Sequence, residues 1–140
     1  MVDTNVLLDV FLNDRKWSAW SLQALEVANA RDALVINPVI YAELSIAFAR
    51  IEELEQVLTE GSLTVEPIPR EALFLAGKAF VKYRKQQGSK TNVLPDFFVG
   101  AHAAITDSSL LTRDVGRYRT YFPTVKLLAP GSKELRTAKE

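Results

Sequence analysis

The sequence predicts an α/β fold, a parallel sheet with helices on both faces, on three observations. Short apolar runs rich in β-formers alternate with longer stretches of helical periodicity along the chain. Four of these runs are followed closely by a carboxylate, at Asp3, Glu43, Asp96 and Asp114. The 140 residues, 48% of them apolar, suffice for one core and hence one domain.

Each element has its own signal. Met1-Val2-Asp3 ends a very short strand, and Val6 to Leu12 forms a short helix stopped by Asn13-Asp14-Arg15. From Lys16 to about Asn29, Trp17, Trp20, Leu25 and Ala28 recur at helical spacing. Ala33 to Ile36 is a strand, and Asn37-Pro38 supplies a capping residue and a first-turn proline for a helix carrying Tyr41, Glu43, Leu44 and Ala47. A further helix continues through Ile51, Leu54 and Leu58 to Gly61, and Leu63 to Glu66 is the next strand. After Pro67 and Pro69, a long helix runs from Glu71 to Gln87 and ends in a basic turn with Lys82, Arg84 and Lys85. Gly88 to Asn92 is a polar loop, and Pro95-Asp96 opens an apolar helix that reaches Ile105. Ser109 to Thr112 is a strand, and Thr124 to Leu128 is a weaker one. The domain is expected to span 1–130, with 131–140 a charged tail too poor in apolar residues to pack.

Composition excludes several classes. Lys plus Arg equals Asp plus Glu at 17 each, so nucleic acid cannot be gripped by bulk charge and any contact with it must be local. The absence of cysteine removes disulfides and thiolate metal sites and suits the cytoplasm. The longest apolar stretch, Phe97 to Ile105, is far short of the roughly 20 residues of a membrane span, and Met1 opens no signal-peptide pattern.

The four acids carry the chemical reading. Strands of a parallel sheet end along one edge, where α/β folds place their ligands, so acids from distant stretches converge there. Carboxylates held together raise one another's pKa unless a cation lies between them, and the hard divalent ions Mg²⁺ and Mn²⁺ match their oxygens. A lone Asp3 or Asp96 reads as a turn former or helix cap, and Arg113-Asp114 also fits a surface turn; the joint pattern reverses those readings. Glu43 lies on an otherwise apolar helix, where an unpartnered carboxylate is costly to bury. Asp9 and Asp107 read as caps or surface acids, and His102 as a structural histidine outside the site.

The segments Val2-Asp3-Thr4-Asn5-Val6-Leu7-Leu8-Asp9, Tyr41-Ala42-Glu43-Leu44, Leu94-Pro95-Asp96-Phe97-Phe98-Val99-Gly100-Ala101-His102-Ala103 and Leu110-Leu111-Thr112-Arg113-Asp114 together resemble a PIN-domain ribonuclease of the VapC toxin type. Each motif is weak alone; the order and spacing of all four make the resemblance specific. It implies a PIN-like three-layer sandwich with a parallel sheet of four to five strands and Mg²⁺- or Mn²⁺-dependent hydrolysis of RNA. It also implies a VapB-type antitoxin as partner and a homodimer. Carried over by position, Asp3, Glu43, Asp96 and Asp114 match the family's acidic quartet. Asp3 and Asp96 are expected as direct metal ligands, with Glu43 and Asp114 holding a second metal or orienting water. Asn5 and Thr112 are expected to fix ligand geometry by hydrogen bonding. Transfer RNA, a ribosomal RNA loop and messenger RNA all stay open as substrate. The chain departs from the pattern in one respect: only Met1 and Val2 precede the first aspartate, where relatives carry several apolar residues, so the central strand is expected to be stunted or to begin upstream.

Arg113, Arg117 and Arg119 sit beside the last acid, and Lys82, Arg84, Lys85 and Lys90 border the loop before Asp96. Arg113 and Arg117 are expected to contact RNA phosphates; the lysine-rich group equally fits a solvated helix end. Trp17, Trp20 and the apolar Val6 to Leu12 helix offer a face for the antitoxin, against the commoner fate of tryptophan in a core. Three alternatives compete with a toxin nuclease. A phosphotransferase or phosphatase using an aspartate nucleophile needs a second aspartate where this chain has Asn5. The others are a PIN-domain nuclease of housekeeping RNA processing and a non-catalytic module keeping only the fold.

Overall fold

The computed structural model describes residues 1–86, 88 and 93–136. Its sheet is organised around Val2. The Val2 amide donates to the Val35 carbonyl at 2.9 Å, while Val2 bridges Leu111 in parallel on its other side. Asp3 N–H donates to Leu111 O, and Leu111 N–H to Met1 O, both at 2.9 Å. β1 (Leu34–Ile36) pairs in parallel with β2 (Leu63–Val65), and β3 (Leu110–Leu111) with β4 (Leu127–Leu128). The short Val2 segment therefore joins two strand pairs into one parallel sheet. Val2 is almost wholly buried, at 1% exposure, so its hydrogen bonds are shielded from water.

Seven helices are described: α1 (Thr4–Phe11), α2 (Ser18–Arg31), α3 (Pro38–Ser45), α4 (Ile51–Glu60), α5 (Arg70–Lys85), α6 (Leu94–Ile105) and α7 (Gly116–Tyr121). α1 begins earlier than its apolar run indicates, because the Asp3 carboxylate accepts from the Thr4 amide and caps the first turn. Asn37 caps α3 as expected, accepting from Ile40 N–H at 3.0 Å, with Pro38 in the first turn. α3 ends at Ser45, short of the expected Ala47, and Arg50 in extended backbone starts α4. α7 was not expected from the sequence. The loop foreseen at 88–92 lies outside the described residues except for Gly88, and so does Lys90.

α6 occupies the centre. Phe97, Val99, Gly100, Ala101, His102 and Ala103 are all buried, which accounts for a helix with so little polar surface. Phe97 has no exposed surface, worth about 2–3 kcal/mol of apolar burial. It meets Phe80 and Tyr83 of α5, Tyr121 of α7 and Phe122 with ring centroids 5.2–6.0 Å apart. Gly100 makes the close approach of Phe122 feasible: a Cβ there would stand 2.3 Å from a ring carbon.

Two features of the margins bear on the expectations from sequence. Lys133–Leu135 forms a 3-10 turn and Leu135 is buried against α2, so packing among the described residues extends past residue 130. One apolar residue at the right place outweighs the charged composition around it. Trp17 and Trp20 are each half-buried and meet edge to face at 6.0 Å. The most exposed large apolar side chains are Ile46, Phe74, Ile51 and Leu12, of which only Leu12 belongs to the face expected from Trp17, Trp20 and the Val6 to Leu12 helix. Among the described residues no helix is long and apolar enough to cross a membrane.

Candidate active site

A hollow of about 240 Å³ opens where the Val2 segment and β3 end, lined by Asp3, Thr4, Asn5, Leu8, Glu43, Asp96, Asp114, Arg117 and Tyr118. All four sequence-predicted acids border it. Asp3 leaves the central strand, Glu43 rises from α3, Asp96 stands in the first turn of α6, and Asp114 follows β3. A larger hollow of about 540 Å³ lies at the opposite ends of the strands, lined among others by Met1, Asp32, Glu66 and Lys126. The edge where parallel sheets gather ligands is the one bearing the quartet.

Asp3 is the most constrained acid, at 5% exposure. Its Oδ2 accepts from Thr112 Oγ1 and Tyr118 Oη, each at 2.9 Å, and from Asn5 Nδ2 at 3.4 Å. Its Oδ1 accepts from the Thr4 amide at 2.8 Å. Burial pushes its pKa up to about 6 despite these donors, and the Asp96 charge adds to the rise. Glu43 is half-buried; its Oε1 accepts from Thr4 Oγ1 at 2.7 Å, and its pKa is raised by burial and by Asp96. Asp96 is raised mainly by burial, against the pull of Arg117, whose Nη1 forms an ion pair with Oδ2. Asp114 is exposed, and its charge raises Asp96. The acids sense one another as like charges in partly dry surroundings.

Asn5 and Thr112 both hydrogen-bond to Asp3. Asn5 Nδ2 reaches Thr112 Oγ1 at 3.3 Å as well as Asp3, and Thr112 also takes the Asp114 amide at 3.1 Å. Arg117 lines the hollow, but Arg113 is committed elsewhere. Its guanidinium makes two hydrogen bonds to Asp9 and lies over the Trp17 ring at 5.3 Å. Asp9 is correspondingly not a surface acid: it is 3% exposed and also accepts from Ser21 Oγ at 2.8 Å. His102 is buried with Nδ1 3.3 Å from Asn37 Nδ2, has its pKa lowered by burial, and does not line the hollow.

Tyr118 and Thr4 were missed from the sequence. Tyr118 is 2% exposed, and burial together with the Asp3 charge drives its phenol strongly upward, so it stays a neutral donor. The available signal was Tyr118 and Phe122 one helical turn apart before Pro123.

The donor set fits a hard divalent cation in part. It is all oxygen; burial raises Asp3, Glu43 and Asp96, the Asp96 charge adds to the rise of Asp3 and Glu43, and a cation among them would relieve both effects. Among the described residues no three acidic or histidine side chains stand close enough to ligate one ion together. Mg²⁺ commonly takes one or two carboxylates and keeps several waters, which this arrangement allows.

Solved structures share the architecture. The chain is similar to VapBC2 from Rickettsia felis bound to a promoter DNA fragment, with a TM-score of 0.70 at 18% identity, covering 92% of this chain and 96% of that one. VapBC-1 from nontypeable Haemophilus influenzae gives 0.68 at 20% identity over 92% and 96%. A toxin-antitoxin complex from Klebsiella pneumoniae gives 0.62 at 22% identity over 92% and 95%. Comparison with curated proteins finds no match. The PIN domain model matches residues 1–123, nearly the whole described fold, and the chain belongs to the PIN domain family.

Proposed function

We propose that the protein is a metal-dependent ribonuclease, with Asp3, Glu43, Asp96 and Asp114 as its acidic site, acting as the toxin of a toxin-antitoxin pair. The observation that carries this reading is the gathering of Asp3, Glu43, Asp96 and Asp114 around one hollow at the ligand-binding edge of the sheet. Asp3 and Asp96 would hold Mg²⁺ or Mn²⁺, with Glu43 and Asp114 beside them. When bound, the ion supplies a Lewis acid that offsets phosphodiester charge and lowers the pKa of water. Glu43, its pKa raised by burial and by the Asp96 charge and one oxygen held by Thr4, is suited to take a proton from attacking water. Arg117, a quarter exposed beside Asp96, is placed to meet an RNA phosphate; Arg113 would act by holding the segment before Asp114.

The surfaces and the neighbours support two partners. The R. felis, H. influenzae and K. pneumoniae structures contain toxin-antitoxin assemblies, which supports a VapB-type antitoxin here. Exposed Ile51 lines a small hollow with Tyr41, Phe48 and Leu54, and this α3–α4 edge is a better antitoxin seat than the Trp17–Trp20 pair. The exposed Leu73, Phe74 and Val81 on α5 support a homodimer. A cytoplasmic location accords with cysteine-free composition.

A second reading, a non-catalytic PIN-fold binding module, is favoured by Arg117, which already neutralises Asp96 without a metal. Incubating the protein with RNA in Mg²⁺ or Mn²⁺, beside Asp96→Asn and a chelator control, separates the two. Cleavage by the wild type alone, and only with metal, supports the nuclease. Cleavage that persists in Asp96→Asn contradicts the mechanism, and intact RNA throughout supports the binding module.

A further inference from the structure

α7 delivers two successive side chains to two acids from distant stretches: Arg117 to Asp96 and Tyr118 to Asp3. Its seat is set by packing, since Phe122 lies against Gly100 of α6 and Tyr121 against Phe97. We propose that Tyr118 is a positioning residue of the site, its phenol fixing Asp3 so that Oδ1 is the oxygen left to ligate a cation.

The argument is one of lone pairs. A carboxylate oxygen offers about two acceptor directions. Oδ2 of Asp3 receives the Tyr118 and Thr112 hydroxyls at 2.9 Å, with Asn5 farther off at 3.4 Å, which fills it. Oδ1 receives only the Thr4 amide among the described residues, and retains one direction. Without the phenol, Oδ2 regains a free direction and Asp3 can turn about its side-chain torsions. Tyr118 is buried, and its hydroxyl donates to Asp3 from a fixed seat. Groups that hydrogen-bond to metal-ligating carboxylates commonly govern affinity about 10- to 100-fold.

The inference rests on the metal site proposed above, and calorimetric titration of the full chain with Mn²⁺ distinguishes their failures. Tyr118→Phe keeps the ring and removes one oxygen; its Mn²⁺ affinity should fall about tenfold or more, with metal-free Tm close to wild type. Tyr121→Phe, which loses only a surface bond to Gln86, should bind Mn²⁺ as the wild type does. In an Asp3→Asn background, Tyr118→Phe should cause no further loss. Equal affinity in wild type and Tyr118→Phe overturns this inference alone. A loss of affinity that persists in the Asp3→Asn background, or that accompanies a fall in Tm as large as that of Phe122→Ala, assigns Tyr118 to packing and also overturns it. Wild-type protein that takes up no Mn²⁺ overturns the metal reading, and this inference with it.

Discussion

Arg113 grips Asp9 at two points, Nε 2.8 Å from Oδ2 and Nη2 3.0 Å from Oδ1, and so ties the segment after β3 to α1. Asp9 is buried while Arg113 is 30% exposed, so the aspartate depends on its partner far more than the arginine does. Asp14 and Asp114 add to the raising of the guanidinium pKa, after the Asp9 bonds themselves. The pair fixes the stretch from which Thr112 and Asp114 meet Asp3 and the hollow.

Removing Arg113 leaves a buried carboxylate with only the Ser21 side chain as donor among the described residues. Arg113→Ala should destabilise the protein by about 3 kcal/mol, measured by urea denaturation at neutral pH. Asp9→Asn in the same background should recover part of that loss, because the uncompensated charge is gone. A loss in Arg113→Ala under about 0.5 kcal/mol, the scale of an exposed pair, would contradict this account.

Asp3 makes stability pH-dependent with an unusual sign for an acid. Its folded pKa, about 6, exceeds its ordinary value of 3.8, so between those values the folded protein holds more protons than the unfolded chain. Stability of the metal-free protein from this group therefore falls as pH rises from about 4 to 6, by up to about 3 kcal/mol. Glu43 and Asp96 act in the same direction. Denaturation in chelator across this range should show Asp3→Asn more stable than wild type at pH 7, with the difference shrinking toward pH 4. A difference that does not vary with pH would contradict the assignment.

Gly100→Ala tests the seat of α7. The added methyl would collide with the Phe122 ring, a rigid group packed between Gly100 and Phe97, and should cost about 1–3 kcal/mol. Gly116→Ala, where a Cβ meets nothing within 4 Å, is the matched control and should be close to neutral. Thermal unfolding of both reads the contrast, and similar Tm values would show that Phe122 yields without cost.

Arg117 and Arg113 should separate in RNA binding, although they look alike in sequence. Arg117→Ala should weaken RNA binding and lower the slope of log affinity against log salt by about one. Arg113→Gln, with its guanidinium engaged by Asp9, should leave that slope unchanged. Filter binding in Asp96→Asn protein over a salt series measures both, and equal slopes in all three proteins would remove Arg117 from the interface.

The acids were legible because their signals are local: each stands just after a short apolar run or at a helix start, and the parallel topology does the rest. Asn5 and Thr112 were legible for the same reason, lying within two residues of Asp3 and Asp114. Tyr118 was not, because its partner is 115 residues away and a buried tyrosine looks in sequence like any core aromatic. Asp9 and Arg113 misled in opposite directions: each has a polar side chain that reads as surface, and only their pairing across 104 residues buries one and occupies the other. α7 is six residues long, too short for periodicity to register.

The most direct measurement is Mn²⁺ titration of the full chain by calorimetry, beside Asp3→Asn and Asp96→Asn. The account predicts binding by the wild type and at least about tenfold weaker binding in each variant, as two carboxylates proposed to share the ion require. Wild-type protein that releases no heat of binding, or variants that bind as tightly as it does, would contradict it.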